Sequence, residues 1–342
     1  MHLRTGWFLL RRLLSVLPGL LGVTLVIFLL TRVLPADPAV LVAGDQASKA
    51  DLARARAELG LDRGLPEQYL HYMVRLLHGD LGMSLSTGHP VAQDLAQRLP
   101  ATLELTLAAL ALAVAAAVPM GVLAAVRRNT VWDHVSRVVS IAGVSLPVFW
   151  TGLLLILVFY YALGWFPPPM GRISSLVGGP ERITGFYTLD SLLARDGERL
   201  LLSLHALALP ALALALVAMA PLARITRAAM VEALAADCVR AARAAGLPRR
   251  TVLWAVAFRN GLIPVLTTAG MVFSFLLGGN VLVEKVFAWP GVGSYAAEAL
   301  VVNDFAPVQG FVLAMAILYA VLNLAIDLLY GVIDPRARTV HG

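Results

Sequence analysis

The sequence predicts an all-α, polytopic membrane protein with six transmembrane helices. Hydrophobic residues make up 59% of the 342-residue chain, while charged residues make up only 14%. A typical soluble domain has about a quarter charged residues, so a soluble protein of this length would lack its charged surface. The chain also contains a set of uncharged runs. Each is long enough to cross about 30 Å of hydrocarbon, which takes roughly 20 helical residues.

Six such runs define the predicted spans. They cover residues 13–31, 105–126, 138–166, 200–223, 260–283 and 305–326, and the last continues to residue 333. Because a segment in hydrocarbon must satisfy its own backbone hydrogen bonds, each run is predicted to be a helix. The first run has an alternative interpretation as a secretory signal peptide. Its 19 residues exceed the usual apolar core of such a signal, which favours an uncleaved anchor.

Basic residues are distributed unevenly between the loops. The N-terminus, the loops after the second and fourth spans and the C-terminal tail together carry 15 basic and 4 acidic residues. Cytoplasmic loops carry the excess of Lys and Arg in membrane proteins, so both termini are predicted to be cytoplasmic. This bias also explains the net charge of +6, and membrane lipid rather than nucleic acid is the expected partner of the basic residues.

The segment between the first two spans is too long for a simple turn. Helices are predicted from Ser48 to Leu59 and from Pro66 to Leu77, since Ser48 suits an N-cap, Gly60 a stop and Pro66 a first helical position. The predicted divisions are a cytoplasmic end with the first span (1–34), an extracytoplasmic module (35–96), a five-helix transmembrane domain (97–333) and a cytoplasmic tail (334–342).

No soluble catalytic domain is predicted. No loop is long enough to contain one, and the sequence has no Gly-rich phosphate loop and no cluster of metal-binding His and Cys residues. If the protein uses ATP, another chain must hydrolyse it.

The loop of residues 224–259 is the most informative segment. Its alanine content favours a short helix, in which Asp237, Arg240 and Arg243 are three residues apart and share one face. Gly246 followed by Pro248 is a helix stop. A helix with small alanine side chains on one face and charges on the other could fit into a groove on a partner protein. The alternative is an interfacial helix that lies on anionic lipid. Its apolar face is mostly alanine, however, and would insert only weakly into a membrane.

Several short sequence motifs, at different places along the chain, carry a family resemblance. They are Gly79-Asp-Leu-Gly-Met-Ser, Ser145-Leu-Pro-Val-Phe-Trp, Asp237-Cys-Val-Arg-Ala-Ala-Arg-Ala-Ala-Gly-Leu, Trp289-Pro-Gly-Val-Gly and Asp327-Leu-Leu-Tyr-Gly-Val-Ile-Asp-Pro-Arg. Together they resemble permease subunits of ATP-binding-cassette (ABC) importers, in the dipeptide and oligopeptide branch, and most of all the first permease subunit of a dipeptide system. The general importer pattern has Glu where this chain has Arg240, a form that the peptide branch shows.

The resemblance implies the type I ABC importer permease fold in a bacterial inner membrane. It implies a heterodimer with a homologous second permease chain, two ATPase subunits that bind ATP and Mg²⁺, and an extracytoplasmic substrate-binding protein. No cofactor is expected on this chain. The implied substrates are dipeptides and short peptides, with nickel, glutathione and longer oligopeptides as alternatives. The implied contact that couples the channel to the ATPases consists of Asp237, Arg240, Ala242, Arg243 and Gly246.

Polar residues inside the predicted spans are candidates for the translocation path, since such groups usually face the bundle interior or a cavity. The candidates are Ser145, Ser274, Asn280 and Asn323. Helix–helix hydrogen bonds are the alternative for each of them. An ion-coupled secondary transporter would instead need acidic residues at mid-membrane and inverted repeats, and neither is evident in the sequence.

Two further expectations concern the ends of spans. Trp289 and Gly291 are candidates for an outer gate or a contact with the binding protein. The alternative is a tight turn whose Trp anchors at the membrane interface. Glu104, at the start of the second span, is expected to reach water.

Overall fold

The computed structural model describes residues 17–31, 48–58, 60–173 and 177–333. This part of the chain forms helices α1 (Leu17–Thr31), α2 (Lys49–Glu58), α3 (Leu65–Leu77), α4 (Val91–Val126), α5 (Val131–Ser145), α6 (Val148–Ala162), α7 (Tyr187–Leu193), α8 (Gly197–Ala235), α9 (Asp237–Ala244), α10 (Arg249–Val286), α11 (Val292–Val301) and α12 (Phe305–Ile333). Within the described ranges, extended pairing is limited to one isolated bridge between Met83 and Pro90. The predicted tail and the residues before Leu17 lie outside them.

Four described helices are long and apolar enough to cross a membrane. They are α4, α8, α10 and the part of α12 from Phe305 to Ile326. Helices α1 and α6 are also apolar, but each has fewer than 18 residues. The prediction of an all-α, multi-pass membrane protein is therefore confirmed, whereas length and composition identify four spanning helices and two shorter apolar ones.

The third predicted span is wrong as a single helix. α5 ends at Ser145, Leu146 is extended with φ −104° and ψ 138°, and α6 begins at Val148. Pro147 explains the break, because proline disfavours the helical conformation of the preceding residue and cannot donate a backbone hydrogen bond. Two other prolines, Pro210 and Pro221, lie inside the unbroken helix α8.

One compact unit consists of the described residues up to Leu99 together with Val292–Val321. The predicted N-cap of α2 is confirmed, because the hydroxyl of Ser48 accepts a hydrogen bond from the backbone N–H of Asp51 at 3.2 Å. Val91 at the start of α4 packs against Val292 of α11 in a small apolar cluster.

Buried carboxylates hold the loop before α4 within this unit. Asp94 accepts hydrogen bonds from Thr87 at 2.6 Å and from the Tyr295 hydroxyl at 2.8 Å. Asp304 accepts one from Ser84 at 2.8 Å. The negative charge of Asp94 and burial of the ring raise the pKa of Tyr295 to about 12, burial being the larger cause.

The second unit consists of the described residues between Pro100 and Gly291 and those from Leu322 to Ile333. Its core is a stripe on α4 formed by Leu105, Ala109, Ala113 and Ala117, all fully buried. Residues four apart lie on one helix face, and alanines on that face let neighbouring helix backbones approach closely. A Cβ on Gly121 of α4 would lie 2.7 Å from the carbonyl oxygen of Ala223, so α4 and α8 touch backbone to backbone.

Candidate functional site

Helix α9 forms the predicted short helix of the loop between α8 and α10. The chain turns at Ala236 (φ −68°, ψ 151°), one residue after α8 ends. At the other end Gly246 adopts φ +76°, and its N–H donates to the carbonyl of Arg243 at 3.0 Å. Glycine adopts this left-handed conformation without the steric cost of a Cβ. The predicted stop at Gly246 is confirmed, and α8 reaches further into the loop than the sequence indicated.

One face of α9 packs against its own chain. Val239 is fully buried in an apolar cluster with Met230 of α8 and Val252 of α10. Ala242, one turn later, is partly buried against the same cluster. We call this set the loop core. Ala242 therefore does not belong to the exposed face of α9, and its small side chain allows close packing within the chain.

The other face of α9 is charged and exposed. The side chains of Asp237 and Arg240 are 87% and 73% exposed, and Arg240 donates to the Asp237 carboxylate. Arg243 is exposed on the same helix. Exposed ion pairs contribute little to stability, since water screens them. These charges are consequently available to a partner at small cost.

A second group of polar side chains is buried around Glu104 of α4. The Glu104 carboxylate, 4% exposed, accepts hydrogen bonds from Arg172, and from the backbone N–H and the hydroxyl of Thr188 at 2.7 Å each. The Arg172 guanidinium also donates to the Gly185 carbonyl at 2.9 Å and lies 3.5 Å from the centre of the Tyr187 ring. We call these five residues the Glu104 cluster.

The expectation that Glu104 reaches water is therefore wrong. The segment between α6 and α8 folds back against α4 at Glu104 and supplies a cation and an N–H to the carboxylate. An acidic residue directly before a long apolar run is typical of the end of a membrane span. Nothing in the adjacent sequence indicates a partner 68 positions away.

The turn after α10 is packed inside the second unit. Trp289 is 2% exposed, and its indole N–H donates to the carbonyl of Ala101 at 2.9 Å. Glu284 is fully buried and accepts a hydrogen bond from Thr102 at 2.6 Å. A Cβ on Gly291 would lie 2.1 Å from Glu284 Oε1, so glycine at this position leaves room for the Glu284 carboxylate. The alternative of an interfacial Trp anchor is wrong, and no sequence pattern had singled out Glu284.

The four candidate path residues lie on three helices. Asn280 of α10 is 1% exposed and donates to the Thr106 hydroxyl at 2.5 Å, while Ser274 donates to the carbonyl of Gly270 within its own helix. Ser145 is exposed at the end of α5, and Asn323 is partly buried on α12. For Asn280, the structure has the helix–helix hydrogen bond that was the alternative to a path residue.

Apolar helices connected by an exposed, basic loop helix define a multi-pass helical membrane protein. Two family profiles match the chain. Residues 117–339 match the binding-protein-dependent transport system inner membrane component, and residues 6–106 match the N-terminal region of a binding-protein-dependent transport system membrane component. The chain belongs to this family.

Curated relatives match along nearly the whole chain. The probable D,D-dipeptide transport system permease protein DdpB of Escherichia coli K12 is 44% identical, over 97% of this chain and 98% of the relative. The dipeptide transport system permease protein DppB of the same strain is 39% identical over the same shares. The di/tripeptide transport system permease protein DppB of Pseudomonas aeruginosa UCBPP-PA14 is 42% identical, again over 97% and 98%.

Proposed function

We propose that this chain is the membrane-spanning permease subunit of an ATP-driven importer and forms half of the channel for dipeptides and short peptides. The observation that carries the proposal is the end-to-end similarity to three permeases whose names specify dipeptide or di/tripeptide transport. The chain itself is non-catalytic and binds no cofactor. ATP and Mg²⁺ bind to partner ATPase subunits.

The proposed complex lies in the bacterial inner membrane. It contains this chain, a homologous second permease chain, two ATPase subunits and an extracytoplasmic substrate-binding protein. The proposed topology has six transmembrane spans: the four long helices, α1, and the broken pair α5 and α6 as one span. Both termini are cytoplasmic and residues 35–96 are extracytoplasmic, which the uneven distribution of basic residues supports.

The coupling contact is proposed to be the exposed face of α9. Asp237, Arg240 and Arg243 are exposed and offer both signs of charge to an ATPase subunit. Gly246 ends the helix and Ala242 packs it on the loop core. When the ATPases close around ATP, α9 is carried with them and the channel switches between inward-facing and outward-facing states, which is a rigid-body transition between two states.

The proposed channel includes a translocation path and an outer gate. Ser145, Ser274, Asn280 and Asn323 are the proposed path residues, and Asn280 would have to leave Thr106 to contact substrate. Trp289 and Gly291 are proposed for the outer gate. Their turn is buried and Trp289 is hydrogen-bonded to Ala101 of α4, so the gate would open by a movement of that helix together with the turn.

Uptake by the reconstituted complex tests the proposed function. Proteoliposomes with all subunits should accumulate a labelled dipeptide when ATP is supplied to the ATPase side, and a protonophore should not stop them. Accumulation driven by an ion gradient without ATP would instead indicate a secondary transporter. Stimulation of ATP hydrolysis by nickel, glutathione or a longer oligopeptide, but not by a dipeptide, would reassign the substrate.

A further inference from the structure

Asp133, in the first turn of α5, is a buried carboxylate that the coupling contact described above does not use. Its side chain is fully buried. The guanidinium of Arg227 donates from Nε to one oxygen at 2.6 Å and from Nη2 to the other at 2.9 Å. Arg137 and the backbone N–H of Asn129 each add a hydrogen bond at 3.1 Å.

These donors keep the carboxylate charged. The hydrogen bonds from Arg227, together with those from Arg137 and the Asn129 N–H, stabilise the ionised carboxylate against the cost of its burial. A bidentate guanidinium–carboxylate pair is directional as well as strong. The pair therefore fixes both the distance and the angle between the two elements that carry it.

Arg227 lies on α8, and 94 positions separate it from Asp133. It precedes the end of α8 at Ala235 by about two helical turns. Between these points Met230 and Ala233 are buried in the loop core together with Val239 of α9. A continuous chain of packed contacts thus runs from α9 through the loop core and the end of α8 to the start of α5.

We propose that Asp133 is a positioning residue: its pair with Arg227 fastens α5 to the end of α8, so that a displacement of α9 is passed to α5. The inference rests on the proposed function in one respect, namely that an ATPase subunit displaces α9. Packed cores hold discrete arrangements rather than deform gradually, so an intact pair transmits the displacement and a broken pair lets the end of α8 move relative to the first turn of α5.

Arg137 provides a matched control. It donates to the same carboxylate, but it lies on α5 with Asp133, four residues later. Arg137→Gln removes one hydrogen bond from Asp133 and leaves the two helices fastened. Asp133→Asn and Arg227→Gln each remove the ion pair between the helices.

Hydrogen–deuterium exchange of the purified full chain in detergent tests the mechanical link without any partner. Coupling between sites typically changes equilibria by about 5- to 150-fold, so we expect exchange in residues 237–244 to become at least about fivefold faster in Asp133→Asn. Arg137→Gln should leave that segment unchanged. The inference is overturned if Asp133→Asn accelerates exchange only near residues 129–135, or if both variants affect residues 237–244 equally.

Transport by the complete importer gives the functional readout. Peptide transported per ATP hydrolysed should fall at least about fivefold in Asp133→Asn and stay near wild type in Arg137→Gln. A wild-type complex that transports no peptide would contradict the proposed function, while the exchange experiment would still decide the link. Equal transport ratios in wild type and Asp133→Asn would contradict the inference alone.

A double variant separates linkage from simple destabilisation. Asp133→Asn alone leaves the partly buried Arg227, 25% exposed, without its anion, which is costly, whereas replacing both charged partners removes that penalty. Asp133→Asn combined with Arg227→Gln should therefore assemble in wild-type amounts and still have a low transport ratio. Recovery of the ratio together with assembly would show that the pair serves folding only.

Discussion

Two carboxylate–guanidinium pairs of this protein lie in opposite environments. Glu104 and Arg172 are 4% and 7% exposed, and a backbone N–H and a hydroxyl also donate to the carboxylate. Asp237 and Arg240 are 87% and 73% exposed, with water as their main alternative partner. The same two functional groups thus stabilise a fold in one region and remain available for recognition in the other, because burial sets the cost of separating them.

Breaking the buried pair should have the largest effect. In Glu104→Gln the guanidinium of Arg172 stays buried without an anion, and removal of one partner of a buried pair costs about 3–5 kcal/mol. We expect a marked fall in the apparent melting temperature in detergent and a lower yield of monodisperse protein.

Asp196→Asn is the control for this variant. It removes the half-exposed ion pair with Arg199, at 3.2 Å, and keeps a side chain able to cap α8. Exposed pairs contribute about 0–1 kcal/mol, so the melting temperature should hardly move. Similar losses in both variants would show that burial does not distinguish these pairs.

Gly291→Ala, which adds one methyl group, should lower the stability of the protein by an intermediate amount. The new Cβ would lie 2.1 Å from Glu284 Oε1, and overpacking of a filled site costs about 1–3 kcal/mol. Thermal unfolding of Gly291→Ala measures it. Gly197→Ala is the matched variant, since a Cβ there meets nothing within 4 Å. A Gly291→Ala protein as stable as Gly197→Ala would mean that the Glu284 side chain relocates freely.

Arg240→Gln should have the smallest effect on stability, within about 0.5 kcal/mol as for exposed surface sites generally. Its effect on transport should be large, because the proposed contact loses its central cation. Peptide uptake and melting temperature of the same preparation measure both. Arg63→Gln removes another exposed pair, with Glu67 at 2.9 Å, and should change neither. Loss of stability without loss of uptake in Arg240→Gln would argue against the coupling contact.

Local features were predictable because each depends on a few consecutive residues. The cap at Ser48 and the stop at Gly246 follow from side-chain hydrogen bonding and from the left-handed backbone that glycine permits. The break at Pro147 follows from the same kind of rule. It was missed because apolar composition continued on both sides and was taken to indicate one span.

The polar sites were predicted less well. The sequence predicted the charged face of α9 correctly, because charged residues spaced three apart lie on one face of any helix. It placed Ala242 on the partner's side, whereas packing on the loop core places it on the inner side. It overlooked Glu284, and it assigned Glu104 to water.

The sequence by itself determined that this protein is helical and lies in a membrane. Transfer of apolar side chains and satisfaction of backbone hydrogen bonds are properties of each segment, so composition and run length suffice to establish them. Only the tertiary structure decided which charges are buried and which remain exposed. Glu104 and Arg172, like Asp133 and Arg227, come from distant parts of the chain, and a charge is stable inside a protein only where folding brings its partner to it.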